Sequence, residues 1–467
     1  MLLPSPPKKL NSYLSMLFQV NVLNIFFLAL FVRLFNLFLI QDYWQHAFVE
    51  DSQIYWNGAK YWIESGFFSD FSKGVFVYET VRVPGYYLFL MPFRFFFSDS
   101  IFLVLTAQSI VDSLTCAIIF KTGLFFSRNI GVVSGMFAVI SYNLIIHTSL
   151  ILTETISLFF LSLSILLYFY YLREHKIGYL FIVGLVCGFG AMTRTVILLL
   201  PIVFLLANIV IFRNSFRRQL TRAFTGALVL IFATALPVSP LFVRNYNSFD
   251  TFQLTSQNGA FLLNWVTGIT RMLESGNSFD VESAALNRKL EDRISEKYTS
   301  SQNIDNFLLS KERVDLALDE LSNTSILSIA HAWFYGMTKN ILGPTIAFDP
   351  RVRGLNSGSF SQSPGNNLLE KFLKFIERNN KVYVTFLLLG TTGTIVFVLL
   401  QLIGIRSLFA INASWAFFLC LYLAYFLLIS GPIGGPKYRI PIEPVLIILQ
   451  AAGFVYVLQK LKTYWIR

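Results

Sequence analysis

Apolar residues run through this 467-residue chain in long unbroken stretches, and polar residues gather between the stretches instead of alternating with them. A helix needs about 20 apolar residues to cross the hydrocarbon of a bilayer. The pattern predicts such helices over about Leu14–Ile40, Ser100–Phe126, Ile130–Leu150, Glu154–Tyr171 and Gly178–Thr193. It predicts five more over about Val196–Phe212, Ala223–Phe242, Val382–Ile403, Leu408–Ile429 and Pro441–Leu458. Ile326–Phe348 is also apolar, but His331, Lys339, Gly343 and Pro344 interrupt it. The expectation there is a helix lying in the membrane interface.

Two longer polar stretches separate these runs. The first, about Gln41–Asp99, carries an amphipathic segment from Ser52 to Glu64 and an aromatic one after Pro84. The second, about Arg244–Lys381, alternates in charge sign from Glu282 to Glu320, as solvated helices packed over a membrane face would. The expected organisation is therefore a membrane module over 1–242 with its outer loop at 41–99, an outer region over 243–381, and closing membrane helices over 382–467. No internal repeat is visible, which weighs against the common transporter architectures.

Composition bounds the class. Mean hydropathy is +0.60, 55% of residues are hydrophobic and 13% are charged, which is not the balance of a soluble domain. The net charge of +11 does not indicate nucleic-acid binding, because the cations fall in short loops where they act as topology signals and contacts for anionic lipid. With the Met1 end cytoplasmic, tails and short loops on that side hold Lys8, Lys9, Arg128, Arg173, Lys176, Arg213, Arg217, Arg218, Arg222, Arg406, Lys460, Lys462 and Arg467 against the single anion Glu174. Both termini are then expected in the cytoplasm of a multi-pass inner-membrane protein. Cys116, Cys187 and Cys420 lie within apolar runs, so neither a disulfide framework nor a zinc site is expected. The first run is too long for a cleavable signal peptide.

The opposite face collects Glu50, Asp51, Arg82, Glu154, Arg194, Arg244, Lys437 and Arg439. Charges near membrane depth are costly and read by default as functional. Asp51 has two readings, an N-cap for the helix after it or a general base facing an aqueous cavity. Arg82 precedes Pro84-Gly85-Tyr86, where a turn alone needs no cation but a bound phosphate does. Glu154, behind Thr153, is either a first-turn acid or a second carboxylate facing Asp51. Arg194 is either a snorkelling side chain or part of the site. Arg244 and the Lys437-Tyr438-Arg439 triplet run against the charge bias. Asp112 and Gln108, one turn apart, are expected to form an interhelical hydrogen-bonded cluster.

In order along the chain these residues read as an acidic pair, Arg-x-Pro-Gly-Tyr, Leu-Thr-Glu-Thr and Thr-Arg. Pro-x-x-Pro-Leu-Phe-Val-Arg-Asn-Tyr and Tyr-Arg-Ile-Pro-Ile-Glu-Pro follow. The series resembles the GT-C membrane glycosyltransferases. The likeness is to family 39-like members related to protein O-mannosyltransferases and the lipid A aminoarabinose transferase. The resemblance implies an all-α polytopic bundle of about ten membrane helices, with amphipathic helices in the first outer loop and a mostly helical outer region. It implies sugar transfer from a polyprenyl-phosphate carrier to a lipid, glycan or protein acceptor on the outer face. Asp51 would be the catalytic carboxylate, with Arg82, Tyr86, Glu154, Arg194, Arg244, Tyr438 and Arg439 around donor phosphate and substrate. A lipid phosphate is already a leaving group, and no nucleotide-cradling glycine loop is present. Asp51 and Glu154 leave open a divalent ion. The alternatives are a transporter or flippase, or a polymerase or ligase, of lipid-linked sugars. A transport path predicts charges spread through the bilayer, and here they cluster at one face.

Overall fold

The structure is a computed structural model describing residues 20–97, 99–211, 216–298, 304–355, 358, 360, 363 and 368–465. Lys8, Lys9, Arg213 and Arg467 lie outside the described residues, as does the expected first-helix start at Leu14. In chain order the first half runs α1 (Val22–Leu39), α2 (Ser52–Ser65), a hairpin of β1 (Ser69–Ser72) and β2 (Val75–Tyr78), α3 (Gly85–Phe96), α4 (Ile101–Leu124), α5 (Arg128–Ile140), α6 (Tyr142–His147), α7 (Glu154–Glu174), α8 (Ile177–Ala191), α9 (Leu200–Ile211) and α10 (Phe216–Phe249). The second half runs α11 (Gly268–Ser275), α12 (Phe279–Lys297), α13 (Asn306–Ser322), α14 (Ile326–Leu342), α15 (Leu368–Arg378), α16 (Lys381–Ile411), α17 (Ala413–Ile429) and α18 (Glu443–Trp465).

Six of these, α1, α4, α7, α10, α16 and α18, are long and apolar enough to cross a membrane, and α5, α8, α9 and α17 are shorter apolar helices. They fall within the apolar runs, except that the helix expected over about Ile130–Leu150 is broken at Ser141 into α5 and α6, and the chain is a multi-pass membrane protein. α1 begins where the Asn21 side chain accepts the Asn24 N–H at 3.0 Å. It leaves Phe27, Phe31 and Phe35 exposed four residues apart, the stripe a helix presents to lipid. Inside the bundle, Tyr168 of α7 packs 4.8 Å from Phe204 of α9 and 4.4 Å from Phe418 of α17, ring centre to ring centre. α16 and α18 cross at Gly404 and Gly453. A Cβ on Gly404 would lie 1.8 Å from the Leu449 carbonyl, and one on Gly453 would lie 1.9 Å from that of Leu400. Van der Waals packing drives helix association in lipid, and only glycine permits this approach.

Four further features depart from the pattern-based expectation. α10 runs through Pro237 and Pro240 to Phe249, so Arg244 sits on its last turns instead of after its end. Packed membrane helices tolerate such prolines because neighbouring groups satisfy the freed carbonyls. α16 continues through Arg406 to Ile411, and the break comes at Asn412, whose side chain accepts the Trp415 N–H. The β hairpin turns at Lys73-Gly74, both at positive φ, and pairs Ser69 with Tyr78 and Ser72 with Val75. Finally, Asp112 does not join Gln108. It accepts from Arg33 Nε at 2.8 Å, both side chains being buried between α1 and α4. Arg33 also donates to the carbonyls of Ala138 and Val139, which end α5.

α14 packs its Gly336 against Gly431 and Pro432 at the end of α17 and leaves Ile326, Leu327 and Phe334 exposed. α12 and α13 share a small apolar cluster of Leu286, Leu290, Leu316 and Ala317. Ion pairs tie them together along their charged faces: Lys289 to Glu320, Arg293 to Glu312 and Asp319, and Lys297 to Glu312. The alternating charges of the sequence thus meet across two helices.

Candidate functional site

Asp51 holds the N-cap position of α2, yet its side chain makes no capping bond. Ser52 is occupied locally, donating to the Val49 carbonyl and accepting the Val49 N–H. The Asp51 carboxylate instead accepts from Arg82 Nη2 at 2.9 Å. The Arg82 loop is shaped by Glu79, a buried carboxylate that accepts the N–H groups of Val81 at 2.6 Å and Arg82 at 3.0 Å, and the Tyr87 hydroxyl at 3.3 Å. Burial pushes the Glu79 carboxyl above its ordinary value, against the pull of those backbone donors. Gly85 opens α3 and donates its N–H to the Met192 carbonyl at 2.5 Å. A Cβ at Gly85 would lie 2.4 Å from that oxygen. Pro84-Gly85 is therefore a place of close backbone approach, which sets the Arg82 loop against the loop carrying Arg194.

Glu154 opens α7 and is fully buried, and Thr153 makes no capping bond. Its carboxylate pairs with Arg194, and Lys437 Nζ lies 3.9 Å from it. Lys437 also pairs with Glu50, which takes a left-handed φ of 46° to reach it. Tyr55, on the inner face of α2, lies within electrostatic range of both guanidinium–carboxylate pairs, Arg82–Asp51 and Arg194–Glu154. Burial raises its hydroxyl to about 12. Tyr438 sits among Lys437, Arg194, Glu50 and Glu154. The result is one cluster at one end of the bundle, made of Asp51, Arg82, Glu154, Arg194, Lys437, Glu50, Tyr55 and Tyr438.

Tyr86, Arg244 and Arg439 are placed differently. The Tyr86 hydroxyl donates to Gln108 Oε1 at 2.6 Å, while Gln108 Nε2 donates to the carbonyls of Thr148 and Leu150. This buried chain braces the segment that leads into Glu154. Arg244 lies over the rings of Phe68 and Tyr78 and donates to Asn245, behind the Arg82 loop. Arg439 donates to the Ile341 and Gly343 carbonyls and to Thr345, and lies 3.2 Å from Glu443. It holds the end of α14 onto the start of α18. His147 binds the Asn143 carbonyl through Nδ1.

Asp51 and Glu154 are each held by a guanidinium, and among the described residues no three His, Cys, Asp or Glu side chains come together as metal ligands.

Residues 81–240, which carry Arg82, Glu154 and Arg194, match the family model described as dolichyl-phosphate-mannose-protein mannosyltransferase. Solved structures of the oligosaccharyltransferase AglB from Archaeoglobus fulgidus share the architecture. The complex with an inhibitory peptide and a dolichol-phosphate has a TM-score of 0.52 at 12% identity, covering 95% of this chain and 51% of that one. The fold is that of AglB. The apo form of AglB gives a TM-score of 0.52 at 15% identity over 95% and 51% of the two chains. AglB tethered to an acceptor peptide containing the NVT sequon gives 0.51 at 13% identity over 95% and 50%. This chain thus spans about half the length of the GT-C structures it resembles. Comparison with curated proteins gives no match. Asp51, Lys437 and Tyr438 lie outside the segment that the family model matches.

Three members of the cluster, Glu50, Tyr55 and Lys437, stand outside the site residues that the sequence singles out. Lys437 is visible as a cation against the topology bias and Glu50 as half of an acidic pair, but their pairing joins positions 387 residues apart. Glu79 has a weaker signal, an acid three residues before Arg82 within an aromatic stretch.

Proposed function

We propose that this protein is a glycosyltransferase that takes a hexose or pentose from a polyprenyl-phosphate carrier and transfers it to an envelope glycan, lipid or protein acceptor. The observation that supports this reading is the gathering of Arg82, Arg194 and Lys437 with Asp51, Glu154 and Glu50 around Tyr55 at one end of a GT-C bundle. AglB, which shares the fold, is recorded with a dolichol-phosphate.

Arg82, with Arg194 and Lys437 behind it, neutralises the phosphate as its negative charge grows in the transition state. Preorganised cations are well suited to this. The Asp51 carboxylate takes the proton from the acceptor hydroxyl or amine. The acceptor atom bonds to the anomeric carbon from the face opposite the phosphate. The bond from that carbon to the phosphate oxygen breaks, its electron pair leaves with the polyprenyl phosphate, and the anomeric configuration inverts. Glu154 keeps Arg194 and Lys437 oriented. The cluster lies on the non-cytoplasmic face, with both termini cytoplasmic, and the bilayer holds the carrier chain. The protein reconstituted in nanodiscs with a panel of synthetic polyprenyl-phosphate sugars and envelope extract is expected to release polyprenyl phosphate and label one acceptor fraction, read by mass spectrometry. If no sugar in the panel leaves its carrier, the reading fails.

A further inference from the structure

Beside the Asp51–Arg82 pair, a cavity of about 290 Å³ opens between α2 and the β hairpin. One helix face lines it at four-residue steps with Gln53, Asn57 and Tyr61, the hairpin adds Asp70 and Phe71, and Glu79 and Arg82 complete the lining. The walls are chemically mixed in a specific way. Gln53 Nε2 donates to Asn57 Oδ1 at 2.8 Å, leaving one amide carbonyl and one amide nitrogen for a ligand. Asp70 accepts the Phe71 N–H through one oxygen and keeps the other. The Tyr61 and Phe71 rings stand 5.6 Å apart and form an aromatic wall. Arg82 Nε is buried without a hydrogen-bond partner among the described residues, a donor that a ligand oxygen would satisfy.

We propose that this cavity binds a single sugar ring. A pyranose or furanose carries hydroxyls around its edge, which call for amides and carboxylates, and C–H groups on its faces, which call for an aromatic surface. The volume is at the small end of ligand pockets, suited to one ring and not to a folded peptide or a nucleotide. Arg82 lines the cavity and also contacts Asp51, so a ring seated here lies next to the reacting groups. This inference rests on the glycosyltransferase reading for its setting. The ring is either the one carried by the donor or one belonging to a glycan acceptor.

The test uses full-length protein in nanodiscs and a panel of methyl glycosides of mannose, glucose, galactose, N-acetylglucosamine and arabinose, read by saturation-transfer NMR. At least one glycoside is expected to receive saturation. The signal should weaken by about tenfold in Asn57→Ala and in Tyr61→Ala, the scale of one or two lost ligand contacts, while both variants keep the parent melting temperature. Loading with polyprenyl-phosphate sugar separates the sources: a donor ring blocks the glycoside, whereas an acceptor ring leaves it bound. No saturation in the parent protein, or unchanged signal in both variants, overturns the inference. Binding of sugar-free polyprenyl phosphate is measured on the same samples. If that binding depends on Arg82 while the glycosides fail, only the sugar cavity is wrong. If it is absent, the glycosyltransferase reading falls by itself.

Discussion

Arg82 Nη2 donates to Asp51 Oδ1 at 2.9 Å across 31 residues of sequence, although Asp51 stands where a capping residue would turn inward to its own helix. The capping reading of Asp51 therefore has no bond behind it. What Asp51 faces is a guanidinium, the one that also lines the cavity between α2 and the β hairpin.

Asp51→Asn is expected to lower transfer by roughly 100-fold or more, the scale of losing a general base. Melting temperature and polyprenyl phosphate binding should hardly move, because no capping bond is lost and Asn can still accept from Arg82. Glu50→Gln, which alters the Lys437 pair, should cost transfer much less. Near-parent turnover by Asp51→Asn would remove it from catalysis.

Arg82→Ala should weaken donor binding, and Arg82→Lys should restore only part of it. Lysine supplies a point charge without the planar fork that reaches a carboxylate and a phosphate together. Donor titrations of the three proteins check this, and equal affinities would place the phosphate elsewhere.

Removing one partner of the Glu154–Arg194 pair leaves a buried charge uncompensated, at a cost of about 3–5 kcal/mol. Glu154→Gln and Arg194→Met should each lower the melting temperature more than the double variant does. Additive losses in that cycle would show that the pair is not coupled. All three variants should be poor enzymes, since Lys437 also loses its setting.

Single cysteines placed at Arg128 and Ser278 should react from opposite sides of the membrane, with Arg128 cytoplasmic. The excess of cations in the loops on the Arg128 side motivates this. Labelling of both from one side would sink the shared outer face.

Between α11 and α12, Glu282 accepts from Asn277, Ser275 and Arg271, and these bonds hold its carboxyl below the ordinary value. A carboxyl depressed in the folded state contributes stability above its unfolded value, about 4.3. That contribution is lost as pH falls through the folded value. Hydrogen exchange in α11 and α12, corrected for intrinsic rates, should therefore speed up below about pH 4. Glu282→Gln should exchange faster at neutral pH and show a flatter acid response. Parallel pH profiles for the two proteins would contradict this.

The apolar runs by themselves determined a bundle of membrane helices, because a span must hide its backbone in one continuous helix and its length is set by the bilayer. Order along the chain was also enough to single out Asp51, Arg82, Glu154 and Arg194, since charges at such depth stand out against apolar neighbours. Tertiary structure decided what sequence left ambiguous. Whether Asp51 and Glu154 cap helices or face guanidinium groups depends on Arg82 and Arg194 arriving from other loops, and Gly85 on Met192 sets how close those loops come. The ends of α10 and α16 depended on neighbours and on Asn412, not on proline or charge. Arg244 and Arg439 look like site cations along the chain, but three-dimensional packing turns them to aromatic rings and helix-end carbonyls. Glu50 and Lys437 meet only because the loop after the first helix folds back over the start of the last one, a contact that no local pattern encodes.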